Sequence, residues 1–141
     1  IHHCNLIQSI MAKIEATAAG ADDALMLDSR GFIAETNATH LFFVKDDCVY
    51  TSRTVACPEG ITRQTVIELC KEHDIQCCIK DCSQAELYRA DECFCTGTMG
   101  ELASVTQVDG RTIGNGTVGD VTRRLTELFK SLVEKSGTKV V

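Results

Sequence analysis

Residues 59–70 read Glu59-Gly60-Ile61-Thr62-Arg63-Gln64-Thr65-Val66-Ile67-Glu68-Leu69-Cys70, a tight loop that turns directly into an amphipathic helix. Pro58 and Gly60 punctuate the loop, and Thr62 is the predicted N-cap. A helix start leaves backbone N–H groups unpaired at the positive end of the helix dipole, and such a site suits a phosphate. These residues alone favour a plainer alternative, an ordinary loop and surface helix, because helix starts of this kind are common.

Three further stretches carry a more specific signal. They are Ala24-Leu25-Met26-Leu27-Asp28 with Gly31 and Glu35, then Ala90-Asp91-Glu92-Cys93-Phe94, then Thr96-Gly97-Thr98-Met99-Gly100-Glu101. Together with Gly60-Ile61-Thr62-Arg63, these stretches resemble the class IV (fold-type IV) pyridoxal-phosphate aminotransferases. That group includes branched-chain and D-amino-acid aminotransferases and the aminodeoxychorismate lyases. The resemblance covers nearly the whole chain and corresponds to the C-terminal, cofactor-binding domain of the family.

Length and composition favour one globular domain over residues 1–141. The chain has 44% hydrophobic and 24% charged residues, typical of a soluble protein with its own core. A formal net charge of −6 argues against nucleic-acid or anionic-membrane partners. No apolar run is long enough to span a bilayer and no signal peptide opens the chain, so we expect a cytoplasmic protein. The resemblance implies that the smaller N-terminal domain of the family is absent and that an upstream region is missing.

The nine cysteines predict free thiols rather than a disulfide framework or a metal site. An odd number cannot all pair, and no C-x-x-C pair supports a zinc or redox motif. Cys93 and Cys95 alternate with their neighbours, which predicts that both lie on one face of a strand as small apolar residues. We therefore expect no structural disulfide and no bound metal in this chain.

The apolar periodicity predicts a mixed α/β fold. Helices are predicted at residues 5–17, 62–73, 82–88 and 118–135, and strands at 24–27, 32–34, 41–45, 48–51, 75–80, 92–96, 102–108 and 111–113. In the first helix, Leu6, Ile10, Ile14 and Thr17 fall on one face, with Ile7 and Met11 beside them. Hairpins and strand–helix–strand units both occur, which indicates a mixed sheet with packed helices. The resemblance implies a mixed-sheet pseudo-barrel like the C-terminal domain of D-amino-acid aminotransferase-like enzymes.

The resemblance also implies a pyridoxal 5′-phosphate site. Backbone N–H groups of Ile61 and Thr62, the Thr62 hydroxyl and Thr98 would bind the phosphate, and Glu35 would keep the pyridine nitrogen protonated. Met99 and Gly100 would bind the substrate carboxylate through their backbone N–H groups. Without the resemblance, the alternative for Glu35 is a solvated loop acid, as most glutamates are, and residues 97–100 favour a plain turn between two strands. Many family members carry Asn at the position of His40, which is a mild departure.

The lysine that forms the family's Schiff base has no counterpart here. Its expected position, three or four residues before Asn5, is occupied by His2 or Ile1, and the first lysine is Lys13. Imidazole has no primary amine, so His2 cannot form that bond. It could still move protons or contact the cofactor, and with His3 beside it a tag or engineered remnant is an alternative. We therefore expect any bound cofactor to be non-covalent.

The function implied by the resemblance is amino-group transfer between an amino acid, of branched-chain type, and a 2-oxoacid. We expect the isolated chain to be inactive or weakly active, because His2 replaces the lysine. One alternative is a domain of an aminodeoxychorismate-lyase-like enzyme. Another is a non-catalytic module that binds a phosphorylated ligand or serves in assembly. Family members are usually dimers, so we expect a homo-oligomer or a partner that supplies the N-terminal domain.

Overall fold

A five-stranded sheet is the centre of the computed structural model, which describes residues 5–136. Its strand order is β5-β4-β3-β6-β7, and every neighbouring pair is antiparallel except the parallel pair β4–β5. Two-stranded pairs β1–β2 and β8–β9 flank it. The strands are β1 Leu25–Leu27, β2 Ile33–Thr36, β3 His40–Lys45, β4 Cys48–Ser52, β5 Cys77–Lys80, β6 Glu92–Gly97, β7 Glu101–Ser104, β8 Gln107–Val108 and β9 Arg111–Thr112. The mixed sheet confirms the predicted fold class.

Four helices pack around this sheet: α1 Ile7–Ala18, α2 Ile61–Glu72, α3 Gln84–Leu87 and α4 Asp120–Ser136. Each lies close to its predicted position. Ser83 forms a capping box with Glu86 at the start of α3, since its hydroxyl accepts from the Glu86 N–H and the Glu86 carboxylate accepts from the Ser83 N–H. The interval predicted as one strand over 102–108 is divided into β7 and β8, because residues 105 and 106 leave the ladder.

Side chains of β3 alternate between two cores because successive residues of a strand point to opposite faces. Phe42 and Val44 pack with α2 and α4, whereas Leu41 and Phe43 pack with residues of β2, α3 and the other face of β6. On the α2/α4 side, Phe42 pairs with Phe94 of β6, and their rings stack with centroids 5.1 Å apart. Burial on both faces makes β3 the central strand of the fold.

The predicted hairpin turns and cysteine placements agree with the structure. Asp46 and Asp47 have positive φ angles of 50° and 59°, and Asp109 and Gly110 have 49° and 73°, as tight hairpin turns require. Cys93 and Cys95 both lie in the core cluster on the β2/α3 side of the sheet. Cys48, Cys57, Cys70, Cys77, Cys78, Cys82, Cys93 and Cys95 are free thiols, while Cys4 lies outside the described residues.

The apolar face of α1 is exposed to solvent. Leu6, Ile7 and Ile10 are 52%, 52% and 51% exposed, and Met11 and Ile14 are each 63% exposed. Only Ala16 of α1 is buried. The apolar spacing was identified correctly, but no described element covers it. Among residues 5–136, no helix combines the length and apolarity needed to cross a membrane.

Helix α4 begins on a carboxylate supplied by β6. Glu92 accepts hydrogen bonds from the backbone N–H groups of Val121 and Thr122 at 3.0 and 2.7 Å, and from the Thr122 hydroxyl at 2.7 Å. An acid at this end also complements the helix dipole. Gly119 makes the arrangement possible, because a Cβ there would overlap the Glu92 carboxyl group.

We expect Gly119→Ala to destabilise the fold by about 1–3 kcal/mol, because the added methyl displaces the Glu92 carboxylate from three donors. Urea unfolding monitored by circular dichroism measures the change. Gly100→Ala is the matched control, since a Cβ there meets nothing within 4 Å. Equal stability of the two variants would contradict the role assigned to Glu92.

Candidate functional site

The start of α2 is determined by a steric contact with the sheet. The helix begins at Ile61 with Gly60 as N-cap (φ −88°, ψ 134°), and no side chain caps it. The prediction that Thr62 is the N-cap is therefore wrong. A Cβ at residue 60 would lie 2.5 Å from Cδ2 and Nε2 of His40, so only glycine fits beside that ring. The contact joins the first residue of β3 to the first turn of α2.

The first backbone amides of α2 are available to a ligand. The first helical hydrogen bond runs from the Gln64 N–H to the Gly60 carbonyl at 2.9 Å. Within residues 5–136, the N–H groups of Ile61, Thr62 and Arg63 donate to no protein acceptor. The Ile61 side chain is 86% exposed, so the turn is open to solvent. Unpaired amides at a positive helix end favour an anion.

Arg63 adds a positive charge that was not predicted as part of the site. Its side chain is buried, and a guanidinium N–H donates to the Ser52 carbonyl at 2.8 Å. Burial lowers the pKa of Arg63 from its usual value, but the group stays charged at neutral pH because that value is so high. The sequence signal for this position was its helical spacing, since Arg63 falls on the same face of α2 as the apolar residues Val66 and Cys70.

An open cleft of about 660 Å³ borders this turn. Its lining includes Arg53, Thr54, Gly60, Ile61 and Arg63. Neither Glu35 nor Thr98 lines the cleft. The start of α2 therefore borders this cleft and also contacts His40, which belongs to a second group of residues.

That second group is a cluster of Glu35, His40 and Cys57, which we call the acid–imidazole–thiol cluster. One ligand-type atom from each residue lies within 4.8 Å of the others. The Cys57 thiol is 4.0 Å from Nδ1 of His40 and 3.6 Å from the Ala34 carbonyl. Because His40 also contacts Gly60, the structure brings Glu35 close to the start of α2. Cys57 was not predicted as a site residue.

Burial controls the protonation of all three groups. Desolvation raises the pKa of Glu35, and no described side chain donates a hydrogen bond to its carboxylate. Desolvation, followed by the nearby Arg63 charge, lowers the pKa of His40 and keeps the imidazole neutral. Desolvation and the Glu35 charge raise the pKa of Cys57 to about 11, so its thiol is protonated.

Thr96 holds the one buried side-chain oxygen within residues 5–136 that lacks a hydrogen-bond partner. It is 1% exposed and pairs with His40 across the β3–β6 ladder. The next residue, Gly97, approaches Thr39 so closely that a Cβ there would lie 3.0 Å from its methyl group. Buried hydroxyls are almost always paired, so an unpaired one marks a place where a ligand or water binds.

The remaining predicted residues lie on the turn that follows β6. Thr98, Met99 and Gly100 are all exposed, and the Met99 side chain is 99% exposed. No hydrogen bond joins this turn to α2 within the described residues. The assignment of His2 to the family lysine position falls outside the described residues. Roles for Ile61, Thr62, Thr98, Met99, Gly100 and Glu35 in binding therefore remain predictions.

Comparisons with known proteins agree on one family. A family model described as "Amino-transferase class IV" matches residues 1–108. Branched-chain-amino-acid aminotransferase-like protein 2 of Arabidopsis thaliana is 49% identical over 99% of this chain, which covers 25% of that protein. The Pseudomonas aeruginosa branched-chain-amino-acid aminotransferase is 40% identical over 94% of this chain, which covers 47% of it.

Solved structures show the same similarity in three dimensions. A branched-chain amino acid aminotransferase complexed with N-(5'-phosphopyridoxyl)-L-glutamate has a TM-score of 0.90 and 41% identity over 94% of this chain and 45% of its own. The Escherichia coli enzyme has a TM-score of 0.88 and 37% identity over 91% of this chain and 44% of its own. The chain thus spans about a quarter to a half of its relatives' length.

We expect Glu35→Gln to stabilise the ligand-free chain at neutral pH. The folded-state pKa of Glu35 lies above its ordinary value of 4.5, so the unfolded state loses this proton first as pH rises. The free energy of unfolding therefore falls as pH rises from the unfolded-state pKa to the folded-state pKa of Glu35, and it stays lowered above that range. A neutral amide avoids the cost of burying a charge. Thermal melts at pH 7.5 and pH 4 measure the effect.

The stabilisation should be present at pH 7.5 and shrink below pH 4.5, where both states are protonated. Glu59→Gln is the control, because Glu59 lies on the exposed loop before α2. A Glu35→Gln variant that melts lower than the parent chain at pH 7.5 would refute the desolvation assigned to this carboxylate.

Proposed function

This chain belongs to the class IV aminotransferase family, and from that premise we propose that it is the cofactor-binding, C-terminal domain of a branched-chain-type aminotransferase. The observation that carries the proposal is the contact between His40 and Gly60, since it brings the Glu35 carboxylate close to the unpaired amides of α2. A ligand with a ring nitrogen at one end and a phosphate group at the other needs both partners, the carboxylate for the nitrogen and the amides for the phosphate. The names of the relatives support the branched-chain type.

Three features of the residues fit pyridoxal 5′-phosphate. Among residues 5–136, the amides of Ile61, Thr62 and Arg63 donate to no protein acceptor, Glu35 is half-buried without a donor, and the Thr96 hydroxyl is buried without a partner. A phosphorylated, cationic ring complements each of them. When bound, the cofactor supplies an electron-accepting ring that stabilises negative charge at the substrate's alpha carbon.

Each residue has a separate task in this proposal. Ile61 and Thr62 bind the phosphate through backbone N–H groups, with the hydroxyls of Thr62 and Thr98 as further donors. Glu35 accepts a hydrogen bond from the pyridine nitrogen and holds the proton there. A positive partner offsets the desolvation of its carboxylate, so ligand binding lowers the pKa that burial has raised.

Substrate orientation falls to the turn after β6. Backbone N–H groups of Met99 and Gly100 bind the carboxylate of the amino acid or 2-oxoacid in this proposal. The turn is exposed in the described chain, so water is excluded only when further protein covers it. The longer relatives contain protein beyond the region that matches this chain, so their catalytic turnover is a property of the longer protein.

His2 makes the bound cofactor non-covalent and the isolated chain inactive or weakly active in our proposal. We expect equilibrium dialysis to show pyridoxal phosphate binding and borohydride reduction to leave no cofactor mass on the peptide containing His2. His2→Lys should acquire that mass, whereas the control His3→Lys should not. A reduced adduct on a native lysine such as Lys13 or Lys45, or rapid transamination by the parent chain, would contradict the proposal.

A substitution at Thr98 tests whether this residue contacts the phosphate of bound pyridoxal phosphate. Thr98→Val should weaken pyridoxal phosphate binding by about tenfold to a hundredfold, since it removes one hydrogen bond to a charged group. Thr106→Val is the control, because Thr106 is exposed in the segment between β7 and β8. Equal affinity of the two variants would exclude Thr98 as a phosphate contact.

Self-association through α1 completes the proposal. Its exposed apolar face, formed by Leu6, Ile7, Ile10, Met11 and Ile14, leaves a continuous surface in water. A second copy is the proposed occupant, since α1 carries one lysine and one glutamate and two copies therefore do not repel each other. Sedimentation velocity should show a dimer that Ile10→Lys with Ile14→Lys abolishes. A monomeric parent chain at every concentration would refute this part.

A further inference from the structure

The acid–imidazole–thiol cluster has the composition of a metal site. Glu35 comes from β2, His40 begins β3, and Cys57 lies in the loop before α2. Their ligand-type atoms all lie within 4.8 Å of one another. Because the three residues are separated along the chain and form no C-x-x-C or His-x-x-x-His spacing, the sequence pattern predicted no metal here. The fold alone assembles the cluster.

The sulfur–nitrogen distance in the cluster is close to that of a four-coordinate zinc site. Zn–S and Zn–N bonds of about 2.3 and 2.0 Å place sulfur and nitrogen roughly 3.5 Å apart around a tetrahedral ion. In the structure Cys57 Sγ and His40 Nδ1 are 4.0 Å apart. A movement of about half an ångström closes the difference, well within the reach of a side-chain rotation of Cys57.

Two of the ligands are held in place by the surrounding chain. The His40 side chain is 8% exposed and its ring is confined by Gly60, so Nδ1 stays directed toward Cys57. The Cys57 thiol contacts the Ala34 carbonyl, one residue before Glu35. A preformed pair of ligands reduces the ordering that metal binding requires.

The local charges favour a divalent cation on balance. Glu35 is partly buried and receives no hydrogen bond from any described side chain, so its carboxylate oxygens are available to a cation. The imidazole of His40 is the commonest protein ligand for metals. A carboxylate and a thiolate together neutralise a doubly charged ion. Arg63 opposes binding as a nearby positive charge, and its guanidinium donates to the Ser52 carbonyl.

We propose that Glu35, His40 and Cys57 bind a borderline-soft divalent metal ion of the zinc class, with a fourth coordination position left open. Thiol and imidazole ligands select zinc or cobalt over magnesium or calcium. Metal binding deprotonates Cys57 and releases the proton to solvent. Resting on the proposed function, a second consequence is mutual exclusion, since Glu35 cannot serve the metal and the pyridine nitrogen together.

Cobalt titration of the reduced, ligand-free full chain tests the site directly. We expect a thiolate-to-cobalt charge-transfer band with visible bands of a tetrahedral ion, and zinc should displace both. Cys57→Ser should remove the charge-transfer band, and His40→Asn should weaken binding by more than about tenfold. Cys48→Ser, Cys4→Ser and His73→Asn are matched controls that should bind cobalt like the parent chain. Circular dichroism confirms that each variant is folded.

The outcomes separate the metal site from the cofactor site. A band that persists in Cys57→Ser, or equal affinities of His40→Asn and His73→Asn, overturns the metal site. Zinc that raises the apparent Kd for pyridoxal phosphate more than tenfold supports exclusion, and simultaneous binding of both refutes it. A chain that binds cobalt through Cys57 but never binds pyridoxal phosphate retains the metal site and refutes the proposed function.

Discussion

The alternation of side chains along β3 is the constraint on which both cores and the site depend. Its residues pair with β4 on one side and β6 on the other, and they are buried on both faces. Phe42 and Val44 form the α2/α4 core, and the same row of the strand ends at His40. A one-residue slip in register would exchange the two cores and remove His40 from Gly60. The strand that organises the fold therefore also determines where α2 begins.

The site retains polar groups that weaken the isolated fold. In the part of the chain that the structure describes, the Glu35 carboxylate is half-buried without a donor and the Thr96 hydroxyl is buried without a partner. Buried polar groups of this kind lower stability unless something binds them. Either a cationic ring or a metal ion would pair with the Glu35 carboxylate, so the same cluster is a candidate site for the cofactor and for a metal. In the neighbouring core, Phe42 stacks on Phe94 with ring centroids 5.1 Å apart.

Local sequence patterns predicted the fold well where the decisive interactions are local. Positive φ angles at Asp46, Asp47 and Gly110 follow from turn chemistry, and the capping box at Ser83 follows from its spacing to Glu86. The N-cap of α2 was wrong because the decisive contact is with His40, twenty positions earlier in the chain. No pattern within residues 59–70 reveals that contact.

In the candidate site, too, residues with a local sequence signal were predicted and residues placed by long-range contacts were not. Glycine placement and the resemblance predicted a phosphate site at the turn before α2, and the spacing to Gly31 predicted a cofactor contact at Glu35. Both remain predictions. Sequence patterns did not identify Cys57, Arg63 or Thr96, because each is placed by a residue distant in the chain. Cys57 and Thr96 lie beside His40, and Arg63 donates to the Ser52 carbonyl. The stripe on α1 was read correctly as apolar, yet its exposure depends on which elements are present around it.

Amide chemical shifts of Ile61 and Thr62 test the central claim most directly. In two-dimensional ¹⁵N NMR spectra of the full chain, pyridoxal 5′-phosphate and inorganic phosphate should both shift these two amides, whereas pyridoxal without its phosphate should leave them nearly unchanged. Glu35→Gln should preserve the response to inorganic phosphate and weaken the response to the cofactor. If saturating pyridoxal phosphate shifts other amides and leaves Ile61 and Thr62 unmoved, the phosphate does not bind at the start of α2 and the proposed cofactor site is wrong.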